Sequence, residues 1–207
     1  MPVLAALIML VFALTFLDLP RLGAGWFWDL GNGLGYLALA GLLFQMIPGR
    51  RGRSLRRHET LGYAVLALAH GFWLLIGDGT VRFYLLPGAP LAMWLGLAAL
   101  VLLALLTVLA RMPDRLRAHG SYGNFRRVHR WMGVALLAAA GLHVLLTGFY
   151  LRAPWQIAAL VLVALAACFG RATWARLGPP PSATARAYLL MGCGAVAVFV
   201  LLRDLAP

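Results

Sequence analysis

The sequence predicts an all-α integral membrane protein, and three observations lead to that prediction. Of the 207 residues, 63% are hydrophobic and only 12% are charged, a balance outside the range of soluble globular chains. Seven apolar runs follow one another, each near the length that crosses a hydrocarbon core of roughly 30 Å. All 18 basic residues are arginines, and most of them occupy the short segments between those runs.

The runs are expected to form one helical bundle. They cover approximately residues 2–19, 30–47, 59–77, 90–110, 128–150, 155–173 and 184–202. Lipid offers no hydrogen-bond partners to the backbone, so every run that crosses it must be helical. Pro154 leaves only a tight turn before the sixth run, and three consecutive prolines at 179–181 end any helix before the seventh. We therefore predict a single transmembrane domain over residues 1–207, with six to seven helices.

The arginines predict the orientation of this bundle. Five lie in segment 48–57, six in 111–130 and three in 171–186, whereas the opposite side has four: Arg21, Arg82, Arg152 and Arg203. The side richer in arginine is usually cytoplasmic, so the N-terminus is predicted to be cytoplasmic too. This topology accounts for the net charge of +12, and no nucleic-acid partner is expected.

The fifth run contains two histidines, His129 and His143. On a helix they lie about 21 Å apart along the axis and within about 40° of one face. Imidazole is costly to bury in hydrocarbon, so an intramembrane histidine is a functional-site candidate by default. Two of them on one face, near opposite sides of the bilayer, suggest two cofactors stacked across it.

The third run repeats this arrangement, beginning Arg57-His58-Glu59-Thr60-Leu61-Gly62. In both runs a histidine at the cytoplasmic end is followed four residues later by glycine, which is Gly133 in the fifth run. A glycine there lets a flat macrocycle approach the backbone closely. A second histidine, His70, lies deeper in the third run, as His143 does in the fifth. His58 and His70 are about 120° apart on a regular helix, so this pair shares a face less well.

These four histidines predict one or two b-type hemes held between the third and fifth helices. His70 with His143 would hold an outer heme iron, and His58 with His129 an inner one. Two axial nitrogens leave no open coordination position, which favours electron transfer over oxygen binding. The competing interpretation is that these residues are hydrogen-bonded packing histidines between helices.

Arg57 and Arg127 are candidates for pairing with heme propionates, because guanidinium binds carboxylates in a bidentate manner. Membrane topology alone explains these arginines equally well. The same basic surface could dock an acidic cytosolic electron donor. His119, in the arginine-rich loop, is expected to be solvated.

No segment outside the runs is long enough to fold alone, and no glycine-rich phosphate loop follows a strand pattern. We therefore expect no flavin- or nicotinamide-binding domain within the chain. FMN or a quinone would be supplied by a partner.

The chain resembles the ferric-reductase-like transmembrane superfamily, and within it the MsrQ (YedZ) type of heme-bearing membrane subunit. The resemblance covers roughly residues 30–170. It rests on Arg56, Arg57 and His70 in the third run, and on His129 and His143 in the fifth. The resemblance implies a bacterial inner-membrane protein in which His70, His129 and His143 are heme ligands. It also implies a cytosolic flavin reductase or quinol as donor and a periplasmic methionine-sulfoxide-reductase-type protein as acceptor.

Two features depart from that group. The seventh run, 184–202, is additional to its six helices, and His58 stands where the group has no histidine, although ferric reductases and NADPH-oxidase-like proteins use four in two pairs. The expected function is that of an electron-transfer subunit of an oxidoreductase system. The alternatives are a ferric or cupric reductase acting directly at the outer heme, and a heme-free transporter or assembly subunit.

Overall fold

A computed structural model of the chain describes residues 2–16, 25–47, 63–77, 79, 85–114, 117, 119–148, 151–176 and 185–205. These residues contain helices and turns and no strand, so the all-α prediction is confirmed for them. The helices are α1 (Pro2–Phe16), α2 (Gly25–Met46), α3 (Tyr63–Gly77), α4 (Leu91–Arg111), α5 (Tyr122–Thr147), α6 (Pro154–Phe169), α7 (Arg171–Arg176) and α8 (Ala185–Leu205).

Two of these helices, α4 with 21 residues and α5 with 26, are long and apolar enough to cross a membrane. Only 22% and 17% of their most apolar segments are buried within the protein, unlike the core helix of a soluble domain. Shorter apolar helical stretches occur at Ala5–Thr15, Ala64–Gly77, Pro154–Phe169 and Leu190–Leu201.

Helix α2 forms the centre of the bundle. It packs against α1, α3 and α8, and the side chains from Tyr36 to Phe44 are buried together. It begins at Gly25, five residues before the run that the sequence marks. Asp29 lies within this helix and is only 4% exposed.

The helices that carry the histidines pack as two close pairs. One pair is α2 with α3, and the other is α4 with α5. Contacts between the pairs, from α3 to α4 and from α2 to α5, are much sparser. Space is therefore left between the two pairs, and that space is the candidate site.

Helix ends differ from the predicted runs where polar residues intervene. Helix α5 begins six residues earlier than predicted, because the Ser121 hydroxyl accepts a hydrogen bond from the Asn124 amide at 3.2 Å and caps it. The sixth run was predicted as one helix to residue 173, which is wrong. The helix stops at Phe169, and beyond Gly170 the Trp174 indole turns back to donate to the Ala166 carbonyl at 2.8 Å.

Candidate functional site

A cavity of about 430 Å³ lies between the two helix pairs, and His70 and His143 both line it. Its volume falls within the range of roughly 300–1,000 Å³ that is usual for small-molecule and cofactor pockets. The two histidines come from different helices, α3 and α5. The structure therefore brings together the two residues that the sequence paired at the outer level.

His70 is tied to the backbone of the neighbouring helix. Its Nδ1 lies 2.7 Å from the carbonyl oxygen of Gly31 in α2. A carbonyl can only accept, so Nδ1 carries the proton and donates it. The other ring nitrogen, Nε2, then keeps its lone pair and is the nitrogen able to bind a metal.

His143 has the same arrangement with a different helix. Its Nδ1 donates to the carbonyl oxygen of Ala92 in α4, also at 2.7 Å. The same reasoning leaves Nε2 of His143 available as a ligand. In the neutral form of each imidazole, this bond fixes the tautomer with the proton on Nδ1, as in most metal-binding histidines.

Each histidine ring lies against a glycine one turn beyond the carbonyl that it contacts. A Cβ on Gly35 would stand 2.8 Å from Nδ1 of His70, and a Cβ on Gly96 would stand 3.0 Å from Nδ1 of His143. In a helix, side chains tilt toward the N-terminus, so the Cβ of residue i+4 partly covers the carbonyl of residue i. Glycine at that position exposes the carbonyl to a second donor.

A tryptophan next to His70 fixes the register of α3 on α2. The Trp73 indole donates to the Phe27 carbonyl at 2.9 Å, one turn before the carbonyl that His70 uses. A Cβ on Gly31 would approach Cδ1 of Trp73 to 2.8 Å, so this close packing also requires glycine. Two side chains of α3 therefore bind two carbonyls of α2 that lie one helical turn apart.

The remaining cavity wall suits a porphyrin. It is mostly aliphatic, and Trp28, Asn32 and Thr147 add polar groups. Among the described residues there is no cluster of three or more His, Cys, Asp or Glu that could hold a bare metal ion. Two imidazoles in an apolar cavity fit a metal whose other four ligands come from a macrocycle.

His129 is placed differently from His143, although both belong to α5. It is not among the residues that line the cavity, and its ring lies 5.5 Å, centre to centre, from that of Phe125. One turn further on, Gly133 is covered by Met46, whose Sδ lies 3.3 Å from where a Cβ would stand. The partner predicted for His129, His58, lies outside the described residues, as does Arg57.

The basic residues at the start of α5 have separate surroundings. Arg127 is exposed, and Arg130 donates to the Cys168 carbonyl near the end of α6 at 3.4 Å. The positively charged guanidinium thus lies at the C-terminal end of α6, where a cation interacts favourably with the free carbonyls and the helix dipole. His119, which was expected to be solvated, is partly buried, with its ring edge-to-face with Phe125 at 5.5 Å.

The carbonyls of Gly31 and Ala92, and the glycine at position 96, were missed by sequence reasoning. A usable signal was present, because Gly31–Gly35 and Ala92–Gly96 both have small residues four apart, a spacing typical of close helix contacts in membranes. Pairing each of them with a histidine requires the helix register, which the spacing does not supply.

In comparisons with protein-family models, curated proteins and solved structures, this chain has no match. The resemblance to ferric-reductase-like membrane proteins therefore stays a prediction. The functional argument rests on the residues of the chain itself.

Proposed function

We propose that the chain is a membrane cytochrome b that carries electrons from a donor on the cytoplasmic face to an acceptor on the outer face. One observation supports this most strongly. His70 and His143 line one cavity from different helices, and each has Nδ1 bound to a backbone carbonyl, which leaves Nε2 as a potential iron ligand. When bound there, a b-type heme would supply one-electron redox chemistry with both axial positions filled.

A membrane location is supported by the surfaces of α4 and α5. Large apolar side chains on α4 are exposed, including Leu91 at 66%, Val101 at 58% and Val108 at 58%. Leaving such a side chain in water forgoes about 1.5–3 kcal/mol each, whereas lipid accepts it without that loss. With the arginine distribution, this favours six or seven spans in a bacterial inner membrane and a cytoplasmic N-terminus.

The donor and acceptor are proposed to be separate proteins or small molecules. The sequence offers no nucleotide-binding domain, so a cytosolic flavin reductase or a quinol would supply electrons, with FMN or quinone belonging to that partner. A periplasmic oxidoreductase, of the kind that reduces methionine sulfoxide, would receive them. The role proposed for the chain is therefore that of an electron-transfer subunit of a larger oxidoreductase system.

His70 and His143 form the better supported of the two proposed iron sites. The inner site requires His129 together with His58. Because His129 does not line the cavity, a second heme would require a separate site formed by this second pair of histidines.

The visible spectrum of the full-length protein, purified in detergent from heme-replete cells, tests the proposal. We expect a low-spin b-type spectrum on reduction, and its loss at the outer site in both H70A and H143A. H119A is the matched control, because it removes a histidine that lies away from the cavity. A colourless wild-type protein would overturn the proposal and favour a heme-free transporter or assembly subunit.

A further inference from the structure

We propose that Gly35 and Gly96 are positioning residues that set the direction and donor strength of the two imidazoles. Each belongs to a short unit, here called a histidine seat, made of a backbone carbonyl and a glycine four residues later. The first seat is Gly31–Gly35 in α2, and the second is Ala92–Gly96 in α4. This inference rests on the proposed heme-binding function.

The two seats match in every described contact. In each, a histidine from the paired helix donates Nδ1–H to the carbonyl at 2.7 Å. In each, the same nitrogen is the nearest atom to the position of a Cβ on the glycine, at 2.8 Å in the first seat and 3.0 Å in the second. Two unrelated packing contacts would not be expected to share both the bond and the clearance.

The hydrogen bond has a chemical consequence. A carbonyl that accepts a hydrogen bond from Nδ1–H makes the ring more electron-rich and raises the basicity of Nε2. A more basic ligand stabilises ferric iron over ferrous iron, so the seats lower the midpoint potential of a heme bound between them. A low potential suits a subunit that must reduce an acceptor.

The glycines are required because of the space that they leave. A Cβ at 2.8 Å from Nδ1 of His70 lies closer than real Cβ contacts allow, so the ring must shift and its bond to Gly31 must weaken. The clearance at Gly96 is slightly larger. We therefore expect the alanine substitution at Gly35 to have the stronger effect.

The chain provides a matched control position. Gly141 lies two residues before His143 and is not among the residues that line the cavity, and a Cβ there would meet no neighbouring atom within 4 Å. Alanine at this position changes a glycine near a histidine without touching its ring or the cavity wall.

The experiment compares G35A and G96A with two controls, the wild type and G141A, in the full-length protein. Hemin titration of the heme-depleted protein measures affinity, and redox titration measures the midpoint potential. Loss of a hydrogen-bonding partner of a metal ligand typically lowers metal affinity about 10–100-fold. We expect a loss of that size in G35A, a smaller one in G96A, a raised potential in both, and wild-type values in G141A.

Each outcome bears on a distinct claim. A wild-type protein that binds no heme would refute the proposed function. A wild-type protein that binds heme, with G35A and G96A matching the controls, would refute the seats alone. If G35A fails to fold, the near-infrared magnetic circular dichroism of ferric wild type decides. A band displaced toward that of a histidine–histidinate complex supports the seats, and a band typical of two unperturbed neutral imidazoles refutes them.

Discussion

The two ends of α5 place a histidine in contrasting surroundings. Near the C-terminal end, His143 donates to the Ala92 carbonyl, lies against Gly96 and lines the cavity. Near the N-terminal end, His129 lies beside the Phe125 ring. The residue type, the helix and the approximate face are the same at both ends.

The difference shows that the neighbouring helix decides the surroundings of each histidine. Helix α4 presents an exposed carbonyl and a glycine to His143, and so fixes the direction of the ring. At the level of Gly133, one turn from His129, α2 presents a thioether, Met46. The spacing of the histidines in the sequence therefore makes the two predicted heme sites look more alike than their surroundings are.

The largest effect is expected from removing one histidine at each end of the helix. H143A should abolish the low-spin heme signal of the outer site, because only His70 would remain as a protein ligand there. H129A should retain that signal, since its ring does not line the cavity. The pyridine hemochrome assay measures heme per chain. Equal losses in both variants would contradict the distinction between the two ends.

A smaller effect is expected at Trp73. Its indole bond to Phe27 helps to hold α3 in register on α2, so W73F should weaken the position of His70 without removing it. A buried hydrogen bond contributes about 0.5–1.5 kcal/mol net, which corresponds to roughly a 2–13-fold change in heme affinity. W155F is the control, because Trp155 lies on α6 and is 56% exposed. Identical affinities for W73F and W155F would argue against this bracing role.

At the inner end, G133A is expected to leave the potential of the outer heme unchanged. The nearest atom to a Cβ there is the flexible end of Met46 at 3.3 Å, which can move aside. Redox titration of G133A and G35A compares their midpoint potentials, and so compares a glycine that faces a thioether with a glycine that faces an imidazole. A shift in G133A as large as that in G35A would remove the contrast.

The smallest effect is expected at Arg127, which is exposed. R127Q should keep the heme spectrum and slow reduction by an acidic donor protein at low ionic strength only, because exposed charges are screened within about 10 Å at 0.1 M salt. Stopped-flow reduction at two salt concentrations measures this. A loss of heme in R127Q would instead indicate a propionate contact.

The sequence correctly predicts that the described residues are helical, because apolar runs of this length must satisfy their own backbone hydrogen bonds in lipid. It also pairs His70 with His143, since both lie at a matching depth in runs of the same direction. It places the start of α2 five residues too late, because the polar start of α2 hides the beginning of the helix. It misses Gly96 and the carbonyl of Ala92, whose role depends on how α4 docks against α5, and docking is not encoded in the period of one run.

The central claim is that His70 and His143 bind the same iron, and pulsed electron paramagnetic resonance of the ferric protein tests it most directly. The sample is the H58A/H129A double variant, produced with ¹⁵N-labelled histidine, so that the outer pair and His119 are the histidines left. We predict hyperfine couplings from two histidine nitrogens bound to one low-spin iron. Coupling to a single histidine nitrogen, or a high-spin iron, would contradict the claim.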